Sequence, residues 1–101
     1  MKQGFVYIMA STTRTIYTGV TNDLGRRVWE HKNGVGGEFT KRYRVTRLVW
    51  FEEFARMDDA IAWEKALKGK TRAKKVALIE ERNPRWNDLA WDWFEPPPTS
   101  L

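Results

Sequence analysis

The chain has 101 residues, with 18 Lys and Arg against 13 Asp and Glu, a net charge of +5 and no cysteine. This length suits one domain with a single core, and the missing cysteines exclude a disulfide framework, a Cys-ligated zinc and a cysteine nucleophile. The N-terminal apolar run ends by Ser11, too short for a secretory or membrane-spanning segment, so a soluble domain of a reducing, cytoplasmic compartment is expected, with no membrane partner.

Phe5-Val6-Tyr7-Ile8-Met9 is rich in strand formers, and so is Thr15-Ile16-Tyr17-Thr18-Gly19-Val20. The polar link Ser11 to Arg14 makes the pair a β-hairpin. Asn22 or Asp23 can cap a helix running from Leu24 through His31. Arg27 and His31 share one face of it at i, i+4. Arg26 points about 100° away from its neighbour. Gly34, Gly36 and Gly37 mark a loop. Arg47 to Glu52 reads as a third strand. Asp58 or Asp59 can cap a second helix to Lys68, stopped at Gly69. Thr71 can cap a third, which ends before Pro84.

The expected order is β-β-α-β-α-α, an α+β domain with a small three-stranded sheet, mixed or antiparallel, flanked by helices. We expect one domain over residues 1–94, with its core at 4–80 and a C-terminal packing segment at 81–94. Residues 95–101 are expected to be disordered. Trp86 suits a core plug, whereas Trp91 and Trp93 suit either packing or a partner-binding patch.

Charge is uneven along the chain, with a balance of +8 over residues 1–79 and −3 over residues 80–101. From Lys65 to Lys75 there are six bases and no acid. Such stretches suit either solvated faces or contact with phosphate. Glu64 is the lone acid beside this basic stretch.

The motifs Val6-Tyr7-Ile8, Tyr17-Thr18-Gly19-Val20, Asp23-Leu24-Gly25-Arg26-Arg27, His31 and Trp63-Glu64-Lys65-Ala66-Leu67-Lys68-Gly69 follow one another over residues 4 to about 80. In this order and spacing they resemble the GIY-YIG nuclease superfamily, above all its small stand-alone bacterial members. Two departures stand out: the first motif reads Val6-Tyr7-Ile8, without a glycine before the tyrosine, and the second reads Tyr17-Thr18-Gly19 in place of Tyr-Ile-Gly.

The resemblance implies a metal-dependent endonuclease that hydrolyses DNA phosphodiesters, in a repair or recombination setting. It implies Glu64 as the ligand of one Mg²⁺ or Mn²⁺ ion, completed by water and a substrate phosphate. Without the resemblance, Glu64 is a helix-surface acid paired with Lys68. Arg27 is implied at the scissile phosphate, where its fork matches phosphate oxygens. Tyr17 is implied as general base or water positioner, although a phenol needs neighbouring cations for that task. Tyr7 would hydrogen-bond within the site, and His31 would contact phosphate or relay a proton. Arg26, Lys32, Lys41, Arg42, Tyr43, Lys68 and Lys70 are expected to bind nucleic acid, with Tyr43 stacking on a base or touching backbone. Asn83 and Asn87 are both candidates for the polar residue that the family often places near its metal.

DNA is the expected partner, and RNA is not excluded by the sequence. The chain leaves no room for a targeting domain, so cleavage is expected to be weakly specific, structure-directed or targeted by a protein partner. Two other classes compete: a nucleic-acid-binding module of the same fold with little catalysis, and an adaptor that uses the Trp-rich tail.

Overall fold

The computed structural model describes residues 3–94. The sheet has three strands, β1 (Gly4–Ala10), β2 (Ile16–Thr21) and β3 (Arg47–Phe54), in the order β2-β1-β3. Both pairings are antiparallel, which settles the open choice between a mixed and an antiparallel sheet. β1 is central because its side chains are apolar on both faces, and nearly all of them are buried. A bulge between Ile8 and Met9 sets Ile8 opposite Trp50 and Met9 opposite Leu48.

Strand alternation divides the core into two layers. On one face Val6, Ile8 and Ala10 pack with Val49 and Trp50 against α3 (Met57–Lys68) and α4 (Arg72–Arg82), through Ala60, Leu67 and Ile79. Trp86 closes this layer as the expected plug, and its indole donates to Glu80 at 2.8 Å. On the other face Tyr7 and Met9 pack with Leu24 and Val28 of α1 (Leu24–Lys32) and with Val45, Leu48 and Ala90. Each large side chain buried in these layers contributes roughly 1.5–3 kcal/mol of transfer free energy.

Asp23 caps α1 by accepting from the Arg26 backbone, and Thr71 caps α4 by accepting from that of Lys74. Other boundaries differ from expectation. The stretch after the glycines holds a further helix, α2 (Glu38–Tyr43), so the order is β-β-α-α-β-α-α. At six residues α2 is too short to show an apolar period. Glu38 in its first turn and Lys41 and Arg42 in its last complement the helix dipole, and Arg44 ends it in the left-handed region. Arg56 stands at the N-cap of α3 without a side-chain cap bond, and Asp58 and Asp59 lie instead in its first turn, where they favour the dipole. Gly69 ends α3 in the right-handed region, so its freedom at positive φ is not used.

β3 is an edge strand, and residues after α4 cover its open side. Asn83 Nδ2 donates to the Val49 carbonyl at 3.0 Å and to that of Asn87 at 2.9 Å, while the Asn87 backbone donates to Asn83 Oδ1. The Leu89 N–H donates to the Leu48 carbonyl at 2.7 Å, and the Leu48 N–H donates to Asp88 Oδ1 at 3.0 Å. Asn83 and Asn87 therefore serve the β3 edge, on the opposite side of the sheet from β2. Trp91 is exposed, and Trp93 is partly exposed with an edge contact to Phe51. The expected disordered tail lies outside the described residues. Among those residues, no helix is long and apolar enough to cross a membrane.

Candidate active site

Four of the implied residues meet on the α1 face of the sheet, around the hydroxyl of Tyr7. Tyr7 stands in mid-β1, opposite Gly19 of β2. A side chain at Gly19 would collide with the Tyr7 hydroxyl, so glycine is what lets the ring lie across β2. Arg27 and His31, one turn apart on α1, reach that hydroxyl together. Arg27 Nε donates to it at 3.3 Å, and His31 Nε2 lies 2.9 Å from it, with one proton between the two atoms. The Tyr17 ring completes the cluster, 6.4 Å from Tyr7 and 5.4 Å from His31.

The electrostatics follow from burial. Burial pushes the Tyr7 phenol up to about 12, against the opposing pull of Arg27. Tyr7 thus remains a neutral hydrogen-bonding hub at physiological pH. Burial and the Arg27 charge push His31 down to about 4, so its ring is neutral. The other ring nitrogen, Nδ1, is buried without a hydrogen-bond partner. Burial disfavours the Arg27 charge, but Glu30, Tyr7 and Tyr17 outweigh it and hold the guanidinium protonated. Arg27 holds Glu30 below the usual carboxylate range, with help from Arg26.

Arg27 is held from three sides. Besides Tyr7, its Nη1 donates to Glu30 at 2.8 Å and its Nη2 to the Gly36 carbonyl at 2.8 Å. A guanidinium carries five N–H donors, so these three contacts leave others beside Tyr17. Glu30 and Gly36 were not singled out from the sequence. The spacing of Glu30 at i+3 from Arg27 and i+4 from Arg26 was the available sign. Gly36 is set by tertiary packing alone, against the His31 ring.

Glu64 comes from α3, which packs against both β1 and β2. α3 covers the Val6 and Ile8 face, and Glu64 lies on its inward stripe with Ala60 and Leu67. Its carboxylate is mostly buried and pairs with Lys68 at 2.7 Å. Lys68 leads back toward the cluster. With Lys75, Tyr17 and Phe39 it lines a cleft of about 350 Å³ at the β2 edge. Among the described residues no group of three or more His, Cys, Asp or Glu could hold a metal. A single carboxylate still fits Mg²⁺, which keeps several waters and takes further ligands from substrate phosphates.

The remaining basic residues divide by environment. Lys32 is paired with Asp88 and donates to the Thr46 carbonyl, which ties it to the C-terminal segment. Arg26 is exposed and paired with Glu30. Lys41 and Arg42 are exposed on α2, where Arg42 lies over Tyr43. Lys70 lines a separate hollow between α3 and α4 with Trp63 and Lys74.

The family model of the GIY-YIG catalytic domain matches residues 3–77. The chain belongs to the GIY-YIG family. Its sheet and helices reproduce the architecture of such proteins, and the family is of the nuclease type. The chain is 38% identical over 82 residues to a UPF0213 protein of Staphylococcus aureus strain Mu3, covering 81% of this chain and all of that protein. A UPF0213 protein of strain Mu50 matches equally. The solution NMR structure of a UPF0213 protein from Bacillus halodurans is similar at a TM-score of 0.56 and 28% identity, over 89% of this chain and 97% of that one.

Proposed function

We propose that this GIY-YIG protein is a divalent-metal-dependent endonuclease acting on DNA. The observation that carries this reading is the shared hydroxyl of Tyr7, which fixes Arg27 and His31 together beside Tyr17 at the mouth of a lysine-walled cleft. Phosphodiester hydrolysis needs a held phosphate, an oriented water and compensation of developing charge. Arg27, anchored at three of its donors, presents others to phosphate oxygens. Its pre-organisation costs little at the moment of reaction. Tyr7 and the neutral His31 keep that guanidinium in place, and Tyr17 orients water. Glu64 would hold the Mg²⁺ or Mn²⁺ ion, whose charge would neutralise the phosphate. Weak sequence specificity and targeting by a protein partner complete the reading.

The test uses the purified full chain on supercoiled plasmid and on branched duplex, with Mg²⁺ or Mn²⁺ added. Metal-dependent nicking is expected, and Arg27→Ala or Glu64→Ala should abolish it while leaving salt-sensitive binding. Binding to every DNA form with cleavage of none would support instead a binding module of the same fold.

A further inference from the structure

α2 carries two aromatic side chains that serve neither core layer. Phe39 and Tyr43 are each 44% exposed and lie one turn apart, with ring centroids separated by 4.8 Å. They extend a series of rings that starts in the cluster. Tyr17 lies 5.4 Å from His31, and Phe39 lies 6.1 Å from Tyr17. The rings run outward from the buried His31 to the surface. Cations border the whole series, with Lys41 and Arg42 on α2 and Lys68 and Lys75 lining the cleft.

Two exposed aromatics at i, i+4 stabilise a helix by only a few tenths of a kcal/mol, which does not account for a ladder continuous with the site. A surface that alternates flat rings with positive charge matches a strand whose bases are free to stack and whose phosphates face the lysines. A base paired inside a duplex offers no face to such a wall. We propose that the cleft over the β2 edge takes an unpaired nucleotide next to the scissile phosphate. Its base stacks on Phe39 and Tyr43, and its phosphate meets Lys68 and Lys75. This assignment rests on the nuclease reading and names the substrate class: strands with unpaired bases at the cleavage point, as in single-stranded, flapped or gapped DNA.

The test is binding with metal chelated, so that its outcome is independent of cleavage. The probe is a short oligonucleotide carrying 2-aminopurine, offered as a single strand and as a blunt duplex. Stacking quenches the 2-aminopurine fluorescence. The full-length protein is expected to quench the single strand. Phe39→Leu with Tyr43→Leu should lose quenching and weaken single-strand binding about tenfold or more, within the range that base stacking supplies. Binding to the blunt duplex should change less than about twofold, which also shows that the variant is folded. Phe39→Trp should retain quenching, and Lys75→Gln should lower the salt slope by about one. Equal losses on both DNA forms, or none on the single strand, would overturn the assignment. A protein that quenches the single strand but cleaves nothing with metal restored would lose the nuclease reading and keep this cleft.

Discussion

Gly36 lies against the ring of His31, so closely that a Cβ at residue 36 would sit 2.5 Å from His31 Nδ1. The same residue accepts from Arg27 Nη2 through its carbonyl. One residue of the loop before α2 thereby touches both α1 side chains that hold the Tyr7 hydroxyl. Gly36→Ala must push the ring or the loop aside, because the contact is with a packed aromatic. We expect a loss of about 1–3 kcal/mol, typical of overpacking. Urea denaturation checks it against Val35→Ala, an exposed neighbour expected to change stability by less than about 0.5 kcal/mol.

His31 gives the stability a pH dependence. Its ring is held near 4, well below the ordinary 6.5. Below pH 6.5 the unfolded chain takes up a proton that the folded chain refuses. Its contribution is therefore full above pH 6.5 and falls as pH drops toward 4. At ~1.4 kcal/mol per unit of difference, the loss is on the order of 3 kcal/mol. Denaturation midpoints for wild type and His31→Phe between pH 7.5 and 4 should converge as pH falls. Parallel curves would show that another group carries the slope.

Glu30 is expected to separate turnover from binding. It anchors Arg27 at 2.8 Å, so a phosphate held by that guanidinium would lie near it. Glu30→Gln removes a negative charge, so DNA should bind more tightly. It also loosens the guanidinium, and misplacement of a charge-stabilising group costs about tenfold to a hundredfold in rate. Steady-state cleavage should show kcat reduced and KM lowered together. A fall in kcat with KM raised would mean that Glu30 acts only through folding.

Asp88 holds the C-terminal segment to the domain. One carboxylate oxygen accepts from the backbones of Leu48 and Ala90, and the other pairs with Lys32. Asp88→Ala leaves the half-buried Lys32 ammonium without its carboxylate and the Leu48 N–H without its acceptor. An orphaned buried donor costs about 1–3 kcal/mol. Thermal unfolding should show the loss, and Asp88→Asn should recover part of it through the Leu48 bond.

The strands and the three longer helices were legible because their information is local: β-branched runs around a polar link, Asp23 and Thr71 as caps, Gly69 at the end of α3. The grouping of Tyr7, Arg27 and His31 was legible through motif spacing and the i, i+4 relation on α1. α2 was missed because six residues hold too little pattern, and Phe39 went unnoticed with it. The restraint of Lys32 was also missed, since its partner Asp88 lies 56 residues away and no local rule connects them. The burial of Glu64 depends on which face of the sheet α3 covers, a matter of topology that spacing does not encode.

The clasp of residues 83–89 over β3 bears on how the protein is made. Synthesis proceeds from the N-terminus, and this segment follows every strand and helix it completes. Until it emerges, Leu48 and Val49 offer bare backbone groups along a hydrophobic strand, the kind of edge that pairs with another copy. The sheet can form early, but its exposed flank is sealed only when residues 83–89 have left the ribosome. A nascent or truncated chain ending near residue 77 would expose that adhesive flank for its entire lifetime.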